Sequence, residues 1–176
     1  MTETVYIGLG SNLGDREGNL LAAVAALRSI DDAAVLQCSS LYESAPLGPP
    51  QPRYLNAVVE LACGLAPLRL LGILKQIEAE LGRTPSQRWG PRAIDLDVLI
   101  WEGRVVAEPS LQIPHLDLHQ RRFVLEPLCE VRPDVRHPVL GVSAAELLRK
   151  LTRQDVTPFD GVHWRSTSRG VLEPME

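Results

Sequence analysis

Cysteine is scarce in this sequence and shows no metal-ligand spacing. Of 176 residues only three are cysteines, Cys38, Cys63 and Cys129, and no two of them form a C-x-x-C pair. An odd number of widely separated cysteines argues against a disulfide framework or a zinc site, and it favours a reducing compartment. We therefore expect small core residues at these positions and a cytoplasmic protein.

Long apolar runs and an excess of positive charge are also missing. No stretch approaches the roughly 18 consecutive apolar residues of a membrane span, and the N-terminus, MTET, lacks the basic and apolar regions of a signal peptide. The formal net charge of −4 is unlike that of a nucleic-acid-coating protein. We expect no membrane and no nucleic-acid partner. A hydrophobic content of 45% over 176 residues is typical of one globular domain.

The common nucleotide-binding motifs are absent as well. No Walker A pattern occurs, so any nucleotide must be held without a P-loop. The segment 8–14 reads G-x-G-x-x-x-G, and the next predicted strand leads into a proline-rich loop rather than to the acidic residue of a dinucleotide fold. These glycines more simply allow a tight turn from strand to helix.

The most informative stretch that is present is residues 88–100, RWGPRAIDLDVLI. Its second half alternates as a strand, so Asp95 and Asp97 share one face with Cα atoms roughly 6–7 Å apart. Two carboxylates so placed repel each other, and Mg²⁺ is a natural counter-charge. The preceding RWGPR supplies two arginines for phosphate oxygens and Trp89 as a flat face for an aromatic ring. Together these residues predict a metal–nucleotide site. The opposite face of the strand is predicted to hold Ile94, Leu96, Val98 and Ile100.

Simpler interpretations stay open for individual residues. The acidic pair alone could be a solvated face paired with neighbouring arginines. Asn56, next to Tyr54, could be a polar strand position or could read the hydrogen-bonding groups of a heterocycle. Glu78 and Lys75 have the helical spacing of an ordinary surface ion pair. The sequence alone does not show whether basic groups such as those near residues 115–122 converge on a polyphosphate.

Periodicity predicts the order strand–helix–strand–strand–helix–strand, followed by further elements. The predicted bounds are strand 5–9, helix 16–30, strand 35–43, loop 44–53, strand 55–61, helix 67–81 and the aspartate strand. Residues 105–106 are expected to pair back on the aspartate strand. Helices are expected at 120–128 and from a capping box at 143–146 to about residue 151. This is the order of an α+β, ferredoxin-like (βαββαβ) fold, with an antiparallel sheet and helices on one face.

The same pattern predicts which residues lie inside. Alternation over 55–61 places the apolar residues inward and Asn56 and Glu60 outward. We predict one domain over residues 1–154 and a loosely ordered tail over 155–176, where periodicity is lost.

In combination these segments resemble the 6-hydroxymethyl-7,8-dihydropterin pyrophosphokinase family of folate biosynthesis. The resemblance spans residues 5–138. It lies in these segments: YIGLGSNLG (6–14), PLG (46–48), YLNA (54–57), IE (77–78), LGR (81–83), RWGPR (88–92), DLD (95–97), PH (114–115), and Arg121 with Phe123. It implies a ferredoxin-like fold. It also implies transfer of the β,γ-diphosphate of ATP to the hydroxymethyl oxygen of the pterin, with release of AMP.

The resemblance implies roles for individual residues, carried over by matching position. Two Mg²⁺ ions would be held by Asp95 and Asp97, while Arg83 and Arg92 would stabilise charge in the transition state. The residues implied to hold the pterin are Ser44, Ala45, Leu47, Tyr54, Asn56, Trp89 and Phe123. The residues implied to contact ATP are Lys75, Glu78, Trp89, Arg92, Val98, His115 and Arg121.

A few positions depart from the family's pattern, and they bear on ATP binding. Lys75 stands where a glutamine is common, Ser110, Gln112 and Leu116 replace residues that contact ATP in some members, and the loop 83–88 is one residue shorter. Two rival interpretations are a ligand-sensing ferredoxin-like module and a metal-dependent phosphohydrolase. We predict a cytoplasmic monomer that acts on two small molecules, ATP and the pterin.

Overall fold

The computed structural model describes residues 1–82 and 90–165. In these ranges the chain forms strands and α-helices with the following bounds: β1 Glu3–Ser11, α1 Arg16–Arg28, β2 Ala33–Cys38, β3 Leu41–Ser44, β4 Tyr54–Cys63, α2 Pro67–Glu80, β5 Asp95–Trp101, β6 Val106–Glu108, β7 Leu111–Ile113, α3 Arg122–Val131, α4 Ala144–Lys150 and β8 Val156–Phe159. None of the helices in this described part is long and apolar enough to cross a membrane.

One antiparallel sheet organises the molecule. Its strands lie in the order β5–β1–β4–β3–β8, with β2 paired to β4 in line with β3. The predicted strand 35–43 is therefore one sheet position divided in two. The division falls at Ser39, whose hydroxyl accepts the N–H of Val58 (2.9 Å) and donates to the carbonyl of Ser40 (2.8 Å). Such local side-chain bonding competes with the strand ladder. The predicted α+β, ferredoxin-like fold is confirmed.

Helices cover both faces of the sheet, so the expectation of helices on one face only is wrong. On one face α1 and α2 pack against β1 residues such as Val5 and Ile7, in what we call the first core. On the other face α3 and α4 pack against Tyr6 and Val58, in the second core. Each core buries apolar side chains that would otherwise face water, which is the main favourable contribution to folding.

Two residues of β4 that were predicted to face outward are buried on the α3 side of the sheet. Asn56 is 5% exposed and Glu60 is 2% exposed. The Glu60 carboxylate accepts hydrogen bonds from Arg132 (2.6 Å) and from the amide of Gln37, so its buried charge is compensated.

Local signals define the helix ends well. Pro67 starts α2 at its first turn, and Gly82 follows the helix with φ of +93°, a left-handed conformation that suits glycine. Ser143 caps α4 by accepting the N–H of Glu146 (3.2 Å), as the predicted capping box requires.

Three expectations about the second half of the chain are wrong. A bulge opposite Tyr6 and Ile7 places Ile100 in the second core and Trp101 in the first, so the alternation of β5 reverses at its end. The strand at 106–108 pairs with β7 in a separate hairpin, not with β5. Residues 156–159, expected in a loosely ordered tail, form β8 antiparallel to β3. Residues 166–176 lie outside the described ranges.

Candidate active site

A cavity of about 290 Å³ opens on the α3 side of the sheet. Its floor includes Gly8 and Gly10 of β1, which lies between β5 and β4 in the sheet. In the sheet register Gly10 lies between Asn56 of β4 and Asp95 of β5, and Gly8 lies between Val58 and Asp97. At Gly8 the Leu99 side chain fills the space, since an added Cβ would lie 3.1 Å from Leu99 Cδ2. At Gly10 the missing side chain leaves an open slot with the Asn56 amide on one side and the Asp95 carboxylate on the other.

The acidic side of the slot is formed by the aspartate pair, which shares one face of β5 as the alternation predicts. Asp95 and Asp97 both line the cavity from one face of β5; Asp95 is partly buried and Asp97 is exposed. Arg92 also lines the cavity, and its guanidinium donates to Asp95 Oδ1 at 3.2 Å. Carboxylates and a guanidinium are thus concentrated where a phosphate chain with bound cations could lie.

The backbone at Arg92 is held by Asn12, a residue that sequence analysis did not single out. Asn12 is 1% exposed; its N–H donates to the Arg92 carbonyl (3.0 Å), and its Oδ1 accepts the Arg92 N–H (2.8 Å). Its Nδ2 donates to Gln51 Oε1 and to the Pro52 carbonyl, both at 2.9 Å. One buried amide therefore connects the segments on the two sides of the cavity. An asparagine directly after a strand and inside a glycine-rich turn was the only signal for it.

The opposite wall is formed by the end of β3, the following loop and the start of β4. The predicted pterin residues in this wall all line the cavity: Ser44, Ala45, Leu47, Tyr54 and Asn56. The amide nitrogen of Asn56 donates to Ser44 Oγ (2.8 Å) and to the Tyr42 carbonyl (3.3 Å), which fixes the orientation of this buried side chain. The Asn56 amide is therefore a fixed polar group beside the slot and not a solvated strand position.

Helix α3 supplies the last wall through its first turn. Phe123 lines the cavity, and the guanidinium of Arg121 lies 5.7 Å from the centre of its ring. Arg121 also lines the cavity and pairs with Asp117 at 3.1 Å. The two residues thus place an aromatic face and a cation at the same opening.

Four residues expected at the ATP site do not line this cavity. Lys75 is exposed on α2, and the side chain of Val98 packs in the first core. Glu78 is 3% exposed, and its carboxylate accepts the backbone N–H of Leu96 (3.0 Å), between the two aspartates of β5. The N–H of His115 donates to the Leu99 carbonyl (2.8 Å). Arg83 and Trp89 lie outside the described residues.

Comparisons with known proteins show which family and which proteins this chain is similar to. Residues 6–133 match the family described as 7,8-dihydro-6-hydroxymethylpterin-pyrophosphokinase (HPPK). A Pseudomonas aeruginosa protein named 2-amino-4-hydroxy-6-hydroxymethyldihydropteridine pyrophosphokinase is 41% identical over 163 residues, which cover 92% of this chain and 96% of that protein. A Bacillus subtilis protein of the same name is 45% identical over 132 residues, 74% of this chain and 79% of its own.

Solved structures support the fold. An HPPK-DHPS crystal structure in complex with substrates superimposes with a TM-score of 0.72 at 11% identity, covering 94% of this chain and 48% of that one. Wild-type Plasmodium falciparum HPPK-DHPS gives a TM-score of 0.67 at 15% identity, covering 85% and 44%. The chain spans less than half the length of these solved chains, and at such identity the likeness concerns the fold alone.

Proposed function

The chain belongs to the 7,8-dihydro-6-hydroxymethylpterin-pyrophosphokinase family, and from that membership we propose how the residues around the cavity share the reaction. The reaction transfers the diphosphate of ATP to the hydroxymethyl group of 6-hydroxymethyl-7,8-dihydropterin, giving AMP and the pterin diphosphate. The observation that carries the proposal is the row Asn56–Gly10–Asp95 across three neighbouring strands. It places a group suited to a heterocycle on one side of a slot and groups suited to cations and phosphate on the other.

The pterin occupies the wall of β3 and β4. The Asn56 amide is fixed by Ser44 and faces the slot beside Gly10, so it can satisfy a hydrogen-bonding edge of the bicyclic ring without reorganising. The aromatic rings of Tyr54 and Phe123 supply the flat apolar contacts. Ala45, Leu47 and Trp89 complete this set; Trp89 is assigned from the sequence alone.

The acidic side fits Mg²⁺. In the described ranges no cluster of three or more His, Cys, Asp or Glu side chains could form an all-protein metal site. Two aspartates at an open cavity instead match an ion that keeps several waters and binds one or two carboxylates together with substrate phosphates. We assign two Mg²⁺ ions to Asp95 and Asp97. When bound, they supply positive charge that offsets the phosphate oxygens and favours ionisation of the attacking hydroxyl.

The basic residues orient the phosphate chain. Arg92 is fixed through its backbone by Asn12 and lies over the cavity, so its guanidinium can hold phosphate oxygens in line with the pterin hydroxyl. Arg121 offers a second cation at the α3 wall. Arg83, with Arg92, is assigned to stabilising transition-state charge.

Of the remaining ATP residues, four act outside the cavity described here: Lys75, Glu78, Val98 and His115. Lys75, His115 and Trp89 are assigned to direct ATP contacts, while Val98 would take part through its backbone because its side chain is in the first core. Glu78 is assigned to the ATP site next to its bond with Leu96. We further propose that the protein works as a monomer in the cytoplasm.

Product identity tests the proposal. The protein is incubated with ATP and 6-hydroxymethyl-7,8-dihydropterin, with and without Mg²⁺, and the nucleotides are separated. AMP that forms only when both pterin and Mg²⁺ are present supports the proposed chemistry. ADP or free phosphate would favour a phosphohydrolase, and saturable pterin binding without turnover would favour a sensing module. AMP formation without any divalent cation would contradict the roles given to Asp95 and Asp97.

A further inference from the structure

Both ends of the loop that walls the cavity meet one residue of the C-terminal segment, Asp155. The backbone carbonyl of Asp155 accepts the N–H of Ala45 (3.2 Å), at the start of the loop 45–53. Its carboxylate accepts two hydrogen bonds from Arg53, at the end of the loop, at 2.8 and 2.9 Å. Ala45 and the residue after Arg53, Tyr54, both line the cavity. The β3–β4 ladder sets the separation of the loop ends through the pair Ser44 and Tyr54. Asp155, outside the cavity, holds the first and last residues of the loop itself, Ala45 and Arg53.

The Arg53 end is held from a second direction. Its Nε donates to Glu43 (3.2 Å), and Glu43 also accepts from Arg16 at 2.9 Å. The same Arg16 donates to the Arg53 carbonyl at 3.0 Å, and its guanidinium lies 5.5 Å from the ring centre of Phe159. Exposed single ion pairs contribute little, but a bidentate pair inside a network of charges is the recognised exception.

The segment that carries Asp155 is itself anchored. Strand β8 starts directly after it and pairs with β3, with Val156 opposite Ser44. Further along, the Glu17 carboxylate accepts three backbone N–H groups, those of residues 162, 163 and 164. Trp164 is 7% exposed and donates its indole N–H to the Ser39 carbonyl (2.9 Å). Asp155 is therefore held in place before it meets Arg53, which reduces the entropy lost in forming the pair.

We propose that Asp155 is a positioning residue for pterin binding, acting through Ala45 and Arg53 on the loop 45–53. Asp155 does not line the cavity; its effect is to keep the wall in the conformation that receives the ring, so that less ordering has to accompany binding. The inference rests on the proposed assignment of this wall to the pterin. It predicts a change in the KM for pterin that is not accompanied by a change in the KM for ATP or in kcat.

The test is Asp155→Asn, which keeps the backbone carbonyl and removes the charge. We expect the KM for pterin to rise about threefold to fivefold, at the upper end for exposed ion pairs, with kcat, the KM for ATP and the melting temperature close to wild type. The matched control is Arg104→Gln. It breaks the bidentate Arg104–Glu3 pair, which has both bonds at 2.8 Å and side-chain exposures of 44% and 37%, against 37% and 56% for Arg53 and Asp155. An unchanged KM for pterin in Asp155→Asn, or an equal rise in the control, overturns the proposal.

Two further variants separate the inference from the assignment on which it rests. If Asp155 acts through Arg53, the double variant Arg53→Gln/Asp155→Asn has the same KM for pterin as Arg53→Gln alone. If the increases in this KM from the two substitutions are instead additive, Asp155 does not act through Arg53. Asn56→Ala tests the wall directly. If its KM for pterin is unchanged, the assignment of the wall fails. If Asn56→Ala raises that KM and Asp155→Asn does not, only the inference about Asp155 fails.

Discussion

The two faces of the sheet use the same strand, β1, for different purposes. On the face covered by α1 and α2, alternate β1 residues from Val5 to Leu9 are buried in a continuous apolar core. On the other face Tyr6 is buried under the second core, but the next two positions are Gly8 and Gly10, and the cavity begins there. The Leu99 side chain packs over Gly8, so it is the missing side chain at Gly10 that opens the packed face into a site, without a change in the backbone of the strand.

The comparison separates stability from activity. Substitutions on the face covered by α1 and α2, the closed face, should lower the free energy of unfolding and leave the activity of folded molecules intact. Substitutions on the face that carries the cavity, the open face, should lower activity and change the free energy of unfolding little, because cavity residues contribute less to packing. Single substitutions on each face test this separation.

The largest effect is expected at the acidic side of the open face. Asp97→Asn should lower turnover by about a thousandfold or more, since charge stabilisation worth several kcal/mol is lost, while the fold persists because Asp97 is exposed. Steady-state AMP formation and circular dichroism are the measurements, and Asp31→Asn, at an exposed position after α1, is the control. Near-normal turnover in Asp97→Asn would remove the basis for the metal assignment.

On the closed face, Leu20→Ala should act on stability instead. Leu20 is fully buried in the first core, and truncating such a leucine typically costs about 2–5 kcal/mol of unfolding free energy. Urea unfolding measures this loss, and Leu68→Ala in α2, at a site 52% exposed, is the control with little expected change. The activity of folded Leu20→Ala should be near wild type. A parallel fall in kcat would show that the two faces are not separable.

Gly10→Ala tests the open slot itself. An added Cβ would lie 3.5 Å from the Tyr54 ring and 3.7 Å from Asn56 Oδ1, which are ordinary contacts, so the fold should tolerate it. The methyl group would occupy space proposed for the pterin, and we expect the KM for pterin to rise about tenfold, as one methyl group can cause in a shaped pocket. Gly72→Ala, where nothing lies within 4 Å of the added Cβ, is the control. Wild-type kinetics for Gly10→Ala would mean that the substrate does not use the slot.

The sequence predicted what depends on local pattern. Helices α1 and α2 and the shared face of Asp95 and Asp97 follow from periods of a few residues, and each was predicted closely. Five residues of the described part were assigned to the wall of β3 and β4 through family resemblance, and they line the cavity together: Ser44, Ala45, Leu47, Tyr54 and Asn56.

Features that depend on long-range pairing were missed. Strand β8 has four residues, contains Pro158 and lies at the sheet edge, so it carries no alternation that would mark it as a strand. Asn12 looks like a turn residue because its partners, Gln51 and Arg92, are distant in sequence. Glu60 was predicted to face outward because nothing near it in sequence indicates that α3 will cover that face.

The smallest expected effect is on the anchoring of the C-terminal segment that follows β8. This segment places Trp164 in the first core. Partial burial opposes ionisation of Glu17, but three backbone N–H donors outweigh it and hold the pKa of its carboxyl below the usual value. A carboxyl with a lowered folded-state pKa contributes its stability above the unfolded value, about 4.3, and loses it as the pH falls through the lowered one. The anchoring of Trp164 should therefore weaken in acid.

Hydrogen exchange at the Trp164 indole N–H measures this anchoring across the range from neutral pH to about pH 3, with intrinsic exchange rates corrected for pH. As the pH falls, protection of the Trp164 indole N–H in the wild type should decrease toward the value of the Glu17→Gln variant. In Glu17→Gln this protection should already be lower at neutral pH and should show no further decrease in acid. The amides of Val24 and Leu27, in the interior and last turn of α1, should stay protected over the same range, because their hydrogen bonds lie within the helix. An acid step of equal size in Glu17→Gln would assign the change to another group, such as Asp155, whose pKa is lowered chiefly by its hydrogen bonds with Arg53. The loss of protection would then begin at the Asp155–Arg53 pair beside the cavity, and not at the Glu17 carboxylate that holds residues 162–164.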